Sequence, residues 1–516
     1  MPPRGGGIRD RRGKGGDAVT PTPISRRGFL VVGLSAVVLA GCTARPGPRA
    51  TPNTAPSSPS PSPSPTPSPT PSRPPAPSSV AELLAQPRFA VAHRGSGDNW
   101  PEHTLTAYRN ASLAGADAVE ISVCSTSDGV LICHHDLSAQ RVLGVDKAIG
   151  DMTWSEVSAL EVDARSWLGI NTPLEPVSRL DDVLRELGPD VLVFIEDKQG
   201  TNTMPILDIL DTQARSTERF VWKQWAPAAQ VRAAKERGYR AWGYFDEEQL
   251  DRLDEFAATF DILGVPTSSS DELIRKVVGT GVPVMCWEVR FHDEVERLAG
   301  LGIKGIMCSN VAYLIDGRPA DRDAFASGRR APGDLPSGID TLGWSSQPTF
   351  VPSRKSLRIQ GTEATSYLMG SLAAASRRLH RLDVTIAWPE AIPPKGAVGV
   401  MFALTGDAPG GQGRRGDATG FQLTLGVDGA IQIAPYEEGV TGDAAASGAV
   451  DAPAAGTAVH LRIDVGDDEI RMTAGDGDPI VAPLAASAQR GPWLRLFKDY
   501  KTEQAVEFSD VRVVWA

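Results

Sequence analysis

Between residues 88 and 319 the sequence alternates short apolar runs with amphipathic helical patterns, which restricts the fold more than any other feature of the 516-residue chain. Strand-length apolar runs separated by helical segments are typical of a parallel sheet with crossover helices. Eight such runs predict a closed (β/α)₈ barrel of the TIM type. They are Phe89–His93, Ala118–Val123, Val191–Asp197, Phe220–Trp225, Arg240–Phe245, Ile262–Pro266, Val282–Trp287 and Lys304–Cys308. The competing fold, an open doubly wound sheet, usually carries a glycine-rich phosphate turn after its first strand, and none is obvious in this sequence.

Six polar residues stand at or just after the ends of the first three predicted strands, where a barrel gathers its functional side chains. They are His93, Arg94, Glu102, Glu120, Glu196 and Lys198. Clustered carboxylates are hard to keep ionised unless a cation lies among them, so the three glutamates predict Mg²⁺ or Ca²⁺. The arginine and the lysine suit a phosphate group, because both donate hydrogen bonds from a positive charge.

The second strand is predicted to return in a hairpin that carries another histidine. A two-residue turn at Asp128–Gly129 would place Ser122 opposite His135. Neighbouring side chains on a strand point to opposite faces. We therefore expect His135 to face the site beside Glu120, and His134 to point away from it.

Five motifs follow one another in order along the predicted barrel. They are HRG at 93–95, PEHT at 101–104, GADAVEISV at 115–123, TSDGVLICHHD at 126–136 and IEDK at 195–198. As an ordered set they resemble the glycerophosphodiester phosphodiesterases of the phospholipase C-like phosphodiesterase superfamily. The resemblance extends over residues 88–315.

This resemblance implies metal-assisted cleavage of a glycerophosphodiester to an alcohol and glycerol phosphate. His93 and His135 would form the general acid/base pair, a role that suits imidazole because it titrates near neutral pH. The residues that would hold the cation are Glu102, Glu120 and Glu196. The residues that would stabilise phosphate charge are Arg94 and Lys198.

Three departures from the family pattern stand out. Ser122 stands where the family has an aspartate metal ligand, which removes one negative charge from the implied site. His103 replaces the asparagine of the PENT motif, and the segments CWEVR (286–290) and CSN (308–310) replace the family's last two motifs. Asp98 and Glu288 are two candidates for the missing ligand.

The N-terminal 42 residues have the order of an export signal. Arg26 and Arg27 precede an apolar run, Phe29–Ala40, that is too short to span a bilayer as an ordinary helix. The arginine pair resembles a twin-arginine signal, and the sequence LAGC, which ends at Cys42, resembles the lipobox of bacterial lipoproteins. We expect a cell-surface lipoprotein anchored to the outer face of the cytoplasmic membrane through lipidated Cys42. Residues 43–79 are rich in Pro, Ser and Thr and predict an extended linker.

Residues 335–516 read as a second, all-β domain. Helical patterns vanish there, and short alternating strands with turn signals predict a β-sandwich. The predicted strands are Ser356–Gln360, Leu379–Trp388, Val398–Leu404, Gly420–Val427, Ala430–Pro435, Ala458–Val465, Glu469–Ala474, Trp493–Lys498 and Val506–Trp515. Two of these stretches resemble laminin-G or concanavalin-like jelly rolls, which often bind glycans. The domain is therefore either a glycan-binding module or a structural appendage.

Charge and composition narrow the function further. Charged residues make up 22% of the chain and the net charge is -11, which argues against a nucleic-acid binder. We expect a surface phosphodiesterase that acts on glycerophosphodiesters in lipid or wall-polymer metabolism. The alternative is a non-catalytic wall-binding lipoprotein with a degenerate barrel.

The cysteines of the predicted hairpin suggest a disulfide. The same two-residue turn would place Cys124 opposite Cys133, at a non-hydrogen-bonded position within disulfide reach. Export places these thiols in an oxidising compartment. The sequence therefore predicts a Cys124–Cys133 bond that fixes the approach of His135 to Glu120, and the alternative is two small buried thiols.

Overall fold

The computed structural model describes residues 76–316, 324–339, 342–343, 346–373, 377–408, 418–437, 439–485 and 487–516. The predicted signal, the lipidated Cys42 and most of the predicted linker lie outside the described residues and stay predictions. Among the described residues, no helix has both the length and the apolar composition needed to cross a bilayer.

Eight parallel strands form a closed barrel in the first half of the described chain. The strands of this region are β1 (Phe89–Ala92), β2 (Ala118–Ser125), β3 (Leu131–Cys133), β4 (Glu161–Val162), β5 (Glu175–Pro176), β6 (Leu192–Asp197), β7 (Phe220–Trp225), β8 (Arg240–Tyr244), β9 (Ile262–Pro266), β10 (Val284–Trp287) and β11 (Gly305–Cys308). The barrel consists of β1, β2 and β6 to β11, and it closes because β1 pairs in parallel with both β2 and β11. All eight predicted barrel strands are confirmed, with ends that differ by two residues at most.

Most of the helices lie between these strands and cover the outside of the barrel. They are α1 (Val80–Ala85), α2 (Leu105–Leu113), α3 (Gln140–Leu143), α4 (Trp154–Val157), α5 (Arg165–Leu168), α6 (Leu180–Leu187), α7 (Thr203–Asp211), α8 (Ser216–Arg219), α9 (Val231–Glu236), α10 (Leu253–Thr259), α11 (Asp271–Val278), α12 (His292–Gly300) and α13 (Ala324–Ser327). Their apolar residues recur at helical spacing, so one face packs on the sheet while the other stays polar. In α6 this buried face consists of Leu180, Val183, Leu184 and Leu187.

An apolar plug fills the inside of the barrel near the start of its strands. It contains Val91, Ala118, Phe194, Val221, Trp242 and Met285, and Val80 and Leu83 of α1 pack against it. Each large apolar side chain buried in this way contributes about 1.5–3 kcal/mol. Polar chemistry is therefore confined to the opposite mouth, where the strands end.

The hairpin of β2 and β3 has a different register from the predicted one. Val123 pairs with Cys133 and Cys124 with Ile132, so the prediction that Cys124 faces Cys133 is wrong. The loop is one residue longer than a two-residue turn, because Thr126 and Val130 close it through a 3.0 Å hydrogen bond. A shift of one residue sends the two side chains to opposite faces of the sheet.

The predicted disulfide is accordingly absent, and both cysteines are buried thiols. Cys124 packs into the small apolar cluster under the hairpin, whereas Cys133 belongs to the main barrel core. The backbone N–H of His134, and not that of His135, donates to the carbonyl of Ser122 at 2.9 Å. The hairpin is thus held by backbone pairing and packing.

Two antiparallel sheets form the second half. Their strands are β12 (Asp334–Pro336), β13 (Thr349–Val351), β14 (Ser356–Ile359), β15 (Thr365–Met369), β16 (Leu379–Ala387), β17 (Ala397–Leu404), β18 (Thr419–Gly426), β19 (Ala430–Glu437), β20 (Val440–Thr441), β21 (Ala446–Ala449), β22 (Ala458–Val465), β23 (Glu469–Ala474), β24 (Ile480–Pro483), β25 (Trp493–Lys498) and β26 (Val506–Trp515). One sheet has the order β12-β15-β25-β17-β18-β19-β20 with β21 on β19, and the other has the order β13-β14-β26-β16-β22-β23-β24. Inward side chains of both sheets share one core. This arrangement confirms the predicted all-β sandwich after the barrel.

Barrel and sandwich are joined through a buried aspartate at the end of a sandwich strand. Asp407 accepts hydrogen bonds from the backbone N–H groups of His292 (2.7 Å) and Asp293 (3.0 Å). Tyr313 also donates its hydroxyl to Asp407, at 2.9 Å. Because the residue before α12 gives that helix no side-chain cap, Asp407 serves as its N-cap from the other domain.

Candidate active site

One layer of side chains at the barrel mouth contains most of the polar residues. Along each strand, the residue two positions beyond an inward apolar side chain points inward again. The positions two beyond the plug residues bring together His93, Glu120, Glu196, Lys223, Tyr244, Trp287 and Ser309. All seven can form hydrogen bonds through their side chains, so this layer is the candidate site.

The HRG loop after β1 adopts an unusual backbone conformation. Arg94, Gly95 and Ser96 have φ values of 54°, 76° and 72°, which lie in the left-handed region. A Cβ on Gly95 would lie 2.8 Å from the Cβ of Ala107, so only glycine fits there. This path directs the backbone N–H of Arg94 to Glu120 Oε2, at 2.9 Å. Two non-glycine residues in this region cost about 1–2 kcal/mol each, a strain typical of functional sites.

His135 lies in the site and is oriented by two charged neighbours. Arg94 Nη2 lies 3.0 Å from His135 Nε2. Because a guanidinium can only donate hydrogen bonds, Nε2 of the imidazole must be the acceptor. The Nδ1 hydrogen then points to Asp136 Oδ1, at 2.7 Å. Burial lowers the pKa of His135 to about 4, although Asp136 acts to raise it. His135 therefore faces the site, as predicted, but the side chain that it contacts there is Arg94 and not Glu120.

His93 is backed by a carboxylate in the same way. Its Nδ1 lies 3.3 Å from Glu288 Oε1 and 3.3 Å from Ser309 Oγ. Burial acts to raise the pKa of Glu288, but Arg290 and His93 lower it to about 2. Glu288 is therefore an ionised group that can stabilise positive charge on the imidazole.

Glu102 does not join the other two predicted metal-binding glutamates. Arg141 holds it with two hydrogen bonds of 2.8 and 2.5 Å, and Arg94 donates to it at 3.3 Å. Burial acts to raise the pKa of Glu102, but Arg94 and Arg141 keep it well below its usual range. The observed role of Glu102 is to fix two arginines at the mouth.

A lysine lies between the remaining two glutamates. Lys223 Nζ is 2.8 Å from Glu120 Oε1 and 2.8 Å from Glu196 Oε2. Burial acts to lower the pKa of Lys223, yet the two carboxylates raise it. The pKa of Glu120 is held well below its usual range, because Lys223 and His93 outweigh the burial that would raise it. A positive charge of the protein itself thus lies between the two carboxylates.

The arrangement of these residues does not fit a divalent cation. Ser122 donates its hydroxyl to Glu120 at 2.9 Å and supplies no charge. The two candidates for the missing metal ligand, Asp98 and Glu288, instead pair with Arg290, at 2.9 and 2.7 Å. Within the described ranges, no group of three or more His, Cys, Asp or Glu side chains is arranged to hold a metal ion.

Lys198 lies at the end of β6, with its Nζ 3.3 Å from Glu196 Oε2.

His103, which replaces the family asparagine, is buried and contacts Tyr108 through Nδ1 at 2.8 Å. Its position is that of a structural residue behind the site. His134 is also buried, and its Nε2 lies 3.2 Å from the carbonyl oxygen of Ser138.

A cavity of about 210 Å³ opens beside these groups. Its lining includes His93, Arg94, Glu102 and Arg141 from the barrel. Ile339 and Leu342, which follow β12 of the sandwich, also line it. The second domain thus supplies part of the wall of the candidate site.

Sequence reasoning missed the residues that stand behind the predicted ones. They are Asp136, Arg141, Lys223, Tyr244 and, as a partner of His93, Glu288. Strand alternation alone could have found Lys223, since it shares a face of β7 with the buried Val221. The partners of Glu102 depend on loop geometry that no local pattern encodes.

Comparison with known proteins covers the barrel. The sequence model of the Glycerophosphoryl diester phosphodiesterase family matches residues 93–312. A glycerophosphodiester phosphodiesterase of Caldanaerobacter subterraneus subsp. tengcongensis is 27% identical over 244 residues, which are 44% of this chain and 96% of that protein. A probable glycerophosphodiester phosphodiesterase 1 of Mycobacterium tuberculosis is 37% identical over 123 residues, 23% of this chain and 45% of that protein.

Two solved structures are among those similar to part of the chain. A phosphodiesterase of Oleispira antarctica in complex with the product sn-glycerol-3-phosphate is 16% identical, with a TM-score of 0.39, over 44% of this chain and 94% of that one. A putative glycerophosphoryl diester phosphodiesterase of Silicibacter pomeroyi is 19% identical, with a TM-score of 0.39, over 45% and 94%. The family generally depends on a divalent metal ion. The family model and the curated relatives together confirm the predicted enzyme class, a glycerophosphodiester phosphodiesterase-like phosphoric diester hydrolase, on the match to residues 93–312.

Proposed function

We propose that the chain hydrolyses glycerophosphodiesters to an alcohol and glycerol phosphate. The observation that carries this proposal is the pair of imidazoles at the mouth, each with its Nδ1 beside a carboxylate. His93 has Glu288 at 3.3 Å, and His135 has Asp136 at 2.7 Å. Arg94 lies in the same cavity wall as His93 and contacts His135. Hydrolysis of a phosphodiester needs two groups that transfer protons and a fixed positive charge beside the phosphate, and these residues supply both.

The observed hydrogen bonds support a route for the proton transfers. In the free site, Arg94 donates to the Nε2 lone pair of His135. A bound phosphate draws the guanidinium to its own oxygens, which frees Nε2 to take a proton from the water that attacks phosphorus. A bond then forms from that oxygen to phosphorus, and the bond from phosphorus to the leaving oxygen breaks. His93 protonates the leaving oxygen, while Arg94 and Lys198 balance the charge on the phosphate.

The setting that we propose for this reaction is the outer face of the cytoplasmic membrane. Support comes from the order of the export signals and from Cys42 in its LAGC context. The substrates that suit this location are glycerophosphodiesters from lipid head groups and glycerol phosphate polymers of the wall. The sandwich would contribute the cavity wall around Ile339 and Leu342, and a glycan-binding role for it is a further proposal.

The test is hydrolysis of glycerophosphocholine and glycerophosphoglycerol by the purified mature chain, with glycerol phosphate release as readout. We expect His93→Ala and His135→Ala each to lower kcat by about 10²–10⁴-fold, the usual contribution of a general acid or base. His460→Ala is the matched control, because His460 lies at the surface of the sandwich and should leave the rate unchanged. If the chain turns over neither substrate, or if either site variant keeps the wild-type rate, the proposal fails.

A further inference from the structure

The two deepest carboxylates of the site have all four oxygens occupied by donors of the protein. Glu120 Oε1 accepts from Ser122 and Lys223, and its Oε2 accepts from the backbone of Arg94. Glu196 Oε1 accepts from the hydroxyl of Tyr244 at 2.5 Å. Its Oε2 accepts from Lys223 and, at 3.3 Å, from Lys198.

Charge is balanced by the same residues. Two carboxylates and the two ammonium groups of Lys198 and Lys223 sum to zero, so the cluster needs no ion to be neutral. A divalent cation placed here would meet N–H and O–H hydrogens instead of lone pairs, and it would lie beside a buried positive charge. Ser122, in the position of the family's aspartate, offers no third carboxylate.

Packing holds Lys223 in this place. The residue is 6% exposed, and its Nζ lies over the rings of Trp242 and Tyr244, at 5.7 and 5.6 Å from their centroids. Moving the ammonium aside would give up two short ion pairs and these ring contacts. It would also leave Glu120 and Glu196 buried side by side without the positive charge between them, which is costly.

We propose that the Lys223 ammonium takes the place of a divalent cation in this barrel, so that the site is organised and works without a metal ion. Lys223 acts as a positioning residue. It fixes Glu120, which in turn holds the backbone of Arg94 and thereby the guanidinium beside His135. The catalytic part of this inference rests on the proposed function, whereas the absence of metal binding can be measured without it.

The first experiment uses the wild-type mature chain after dialysis against EDTA. We expect no retained stoichiometric metal by elemental analysis, and no shift of Tm when Mg²⁺, Ca²⁺, Mn²⁺ or Zn²⁺ is added, because an ion bound at the site would raise Tm. Hydrolysis should be the same with EDTA as with added ions. One ion per chain that survives dialysis, or a Tm that rises with ion concentration, would overturn the inference.

The second experiment builds the missing cation site. The double variant Ser122→Asp with Lys223→Met removes the ammonium and supplies a third carboxylate. We expect it to bind one Mg²⁺ or Ca²⁺ per chain, with a Tm that rises on ion addition and falls back with EDTA. The matched control, Ser122→Asn with Lys223→Met, has the same shape without the third charge and should bind no ion more tightly than wild type.

These readouts separate the two proposals. If no substrate is turned over under any condition, the proposed hydrolysis fails, yet the metal content and Tm of the wild type still decide the role of Lys223. Circular dichroism shows whether each double variant folds, and if one does not, the wild-type measurements alone decide. A folded Ser122→Asp, Lys223→Met variant that binds no ion would also count against the inference.

Discussion

At the scale of single residues, the site is defined by what lies behind each predicted side chain. Both imidazoles present Nδ1 to an acidic residue. That residue takes no part in the proposed reaction, but it orients the ring and leaves Nε2 as the reactive atom. Asp136 is itself held by Arg141 at 2.5 Å, which also holds Glu102. The two hairpin residues His135 and Asp136 are thereby joined to the loop after β1.

Asp136 gives a prediction on pH dependence. Burial depresses the pKa of His135, and Asp136 acts in the opposite direction, so removing its charge should lower that pKa further. We expect Asp136→Asn to move the acidic limb of kcat/KM to lower pH, because His135 then stays unprotonated further into acid. We also expect kcat to fall by about 10²-fold or more, since the imidazolium formed during proton transfer loses its counter-charge.

The measurement is a pH profile of kcat/KM on the better substrate. Asp146→Asn, an exposed change near the same hairpin, is the control and should follow the wild-type profile. An acidic limb that stays in place or moves to higher pH would show that His135 is not the group that titrates there.

At the scale of elements, the eight barrel strands could be predicted from the sequence, because apolar runs alternate with helical patterns throughout this region. The ends of β1, β2 and β6 were likewise found, since motifs and strand alternation both point to His93, Glu120 and Glu196. The register of the β2–β3 hairpin was not found. It depends on a single residue in the loop closed by Thr126 and Val130, and short patterns do not determine loop length.

The corrected register leads to a prediction about thiols. Because Cys124 and Cys133 point to opposite faces and are buried, neither should react with a maleimide in the native chain. In denaturant without reductant, both should react, and mass spectrometry of the peptides is the readout. A linked peptide that contains both cysteines would contradict the observed pairing of Cys124 with Ile132.

At the scale of the whole molecule, the sandwich does more than follow the barrel. Its Asp407 caps α12 and accepts from Tyr313, while Trp493 donates to the same Tyr313 hydroxyl at 2.8 Å. Ile339 and Leu342 then reach the cavity beside His93. The sequence predicted a barrel followed by a sandwich but not the wall that they share, because this wall depends on tertiary contacts between distant segments.

Asp407→Ala tests whether this junction supports the site. The change leaves two backbone N–H groups and the Tyr313 hydroxyl without their buried acceptor, so we expect the free energy of unfolding to fall by roughly 3 kcal/mol. The wall formed by Ile339 and Leu342 should then be held less firmly, whereas the two histidines stay on the barrel. We therefore expect KM to rise while kcat is largely kept, and denaturant unfolding with steady-state kinetics gives both quantities. Asp451→Ala, at an exposed position of the sandwich, is the control for surface charge. If Asp407→Ala loses stability with an unchanged KM, the junction only joins the domains and the sandwich does not shape substrate binding.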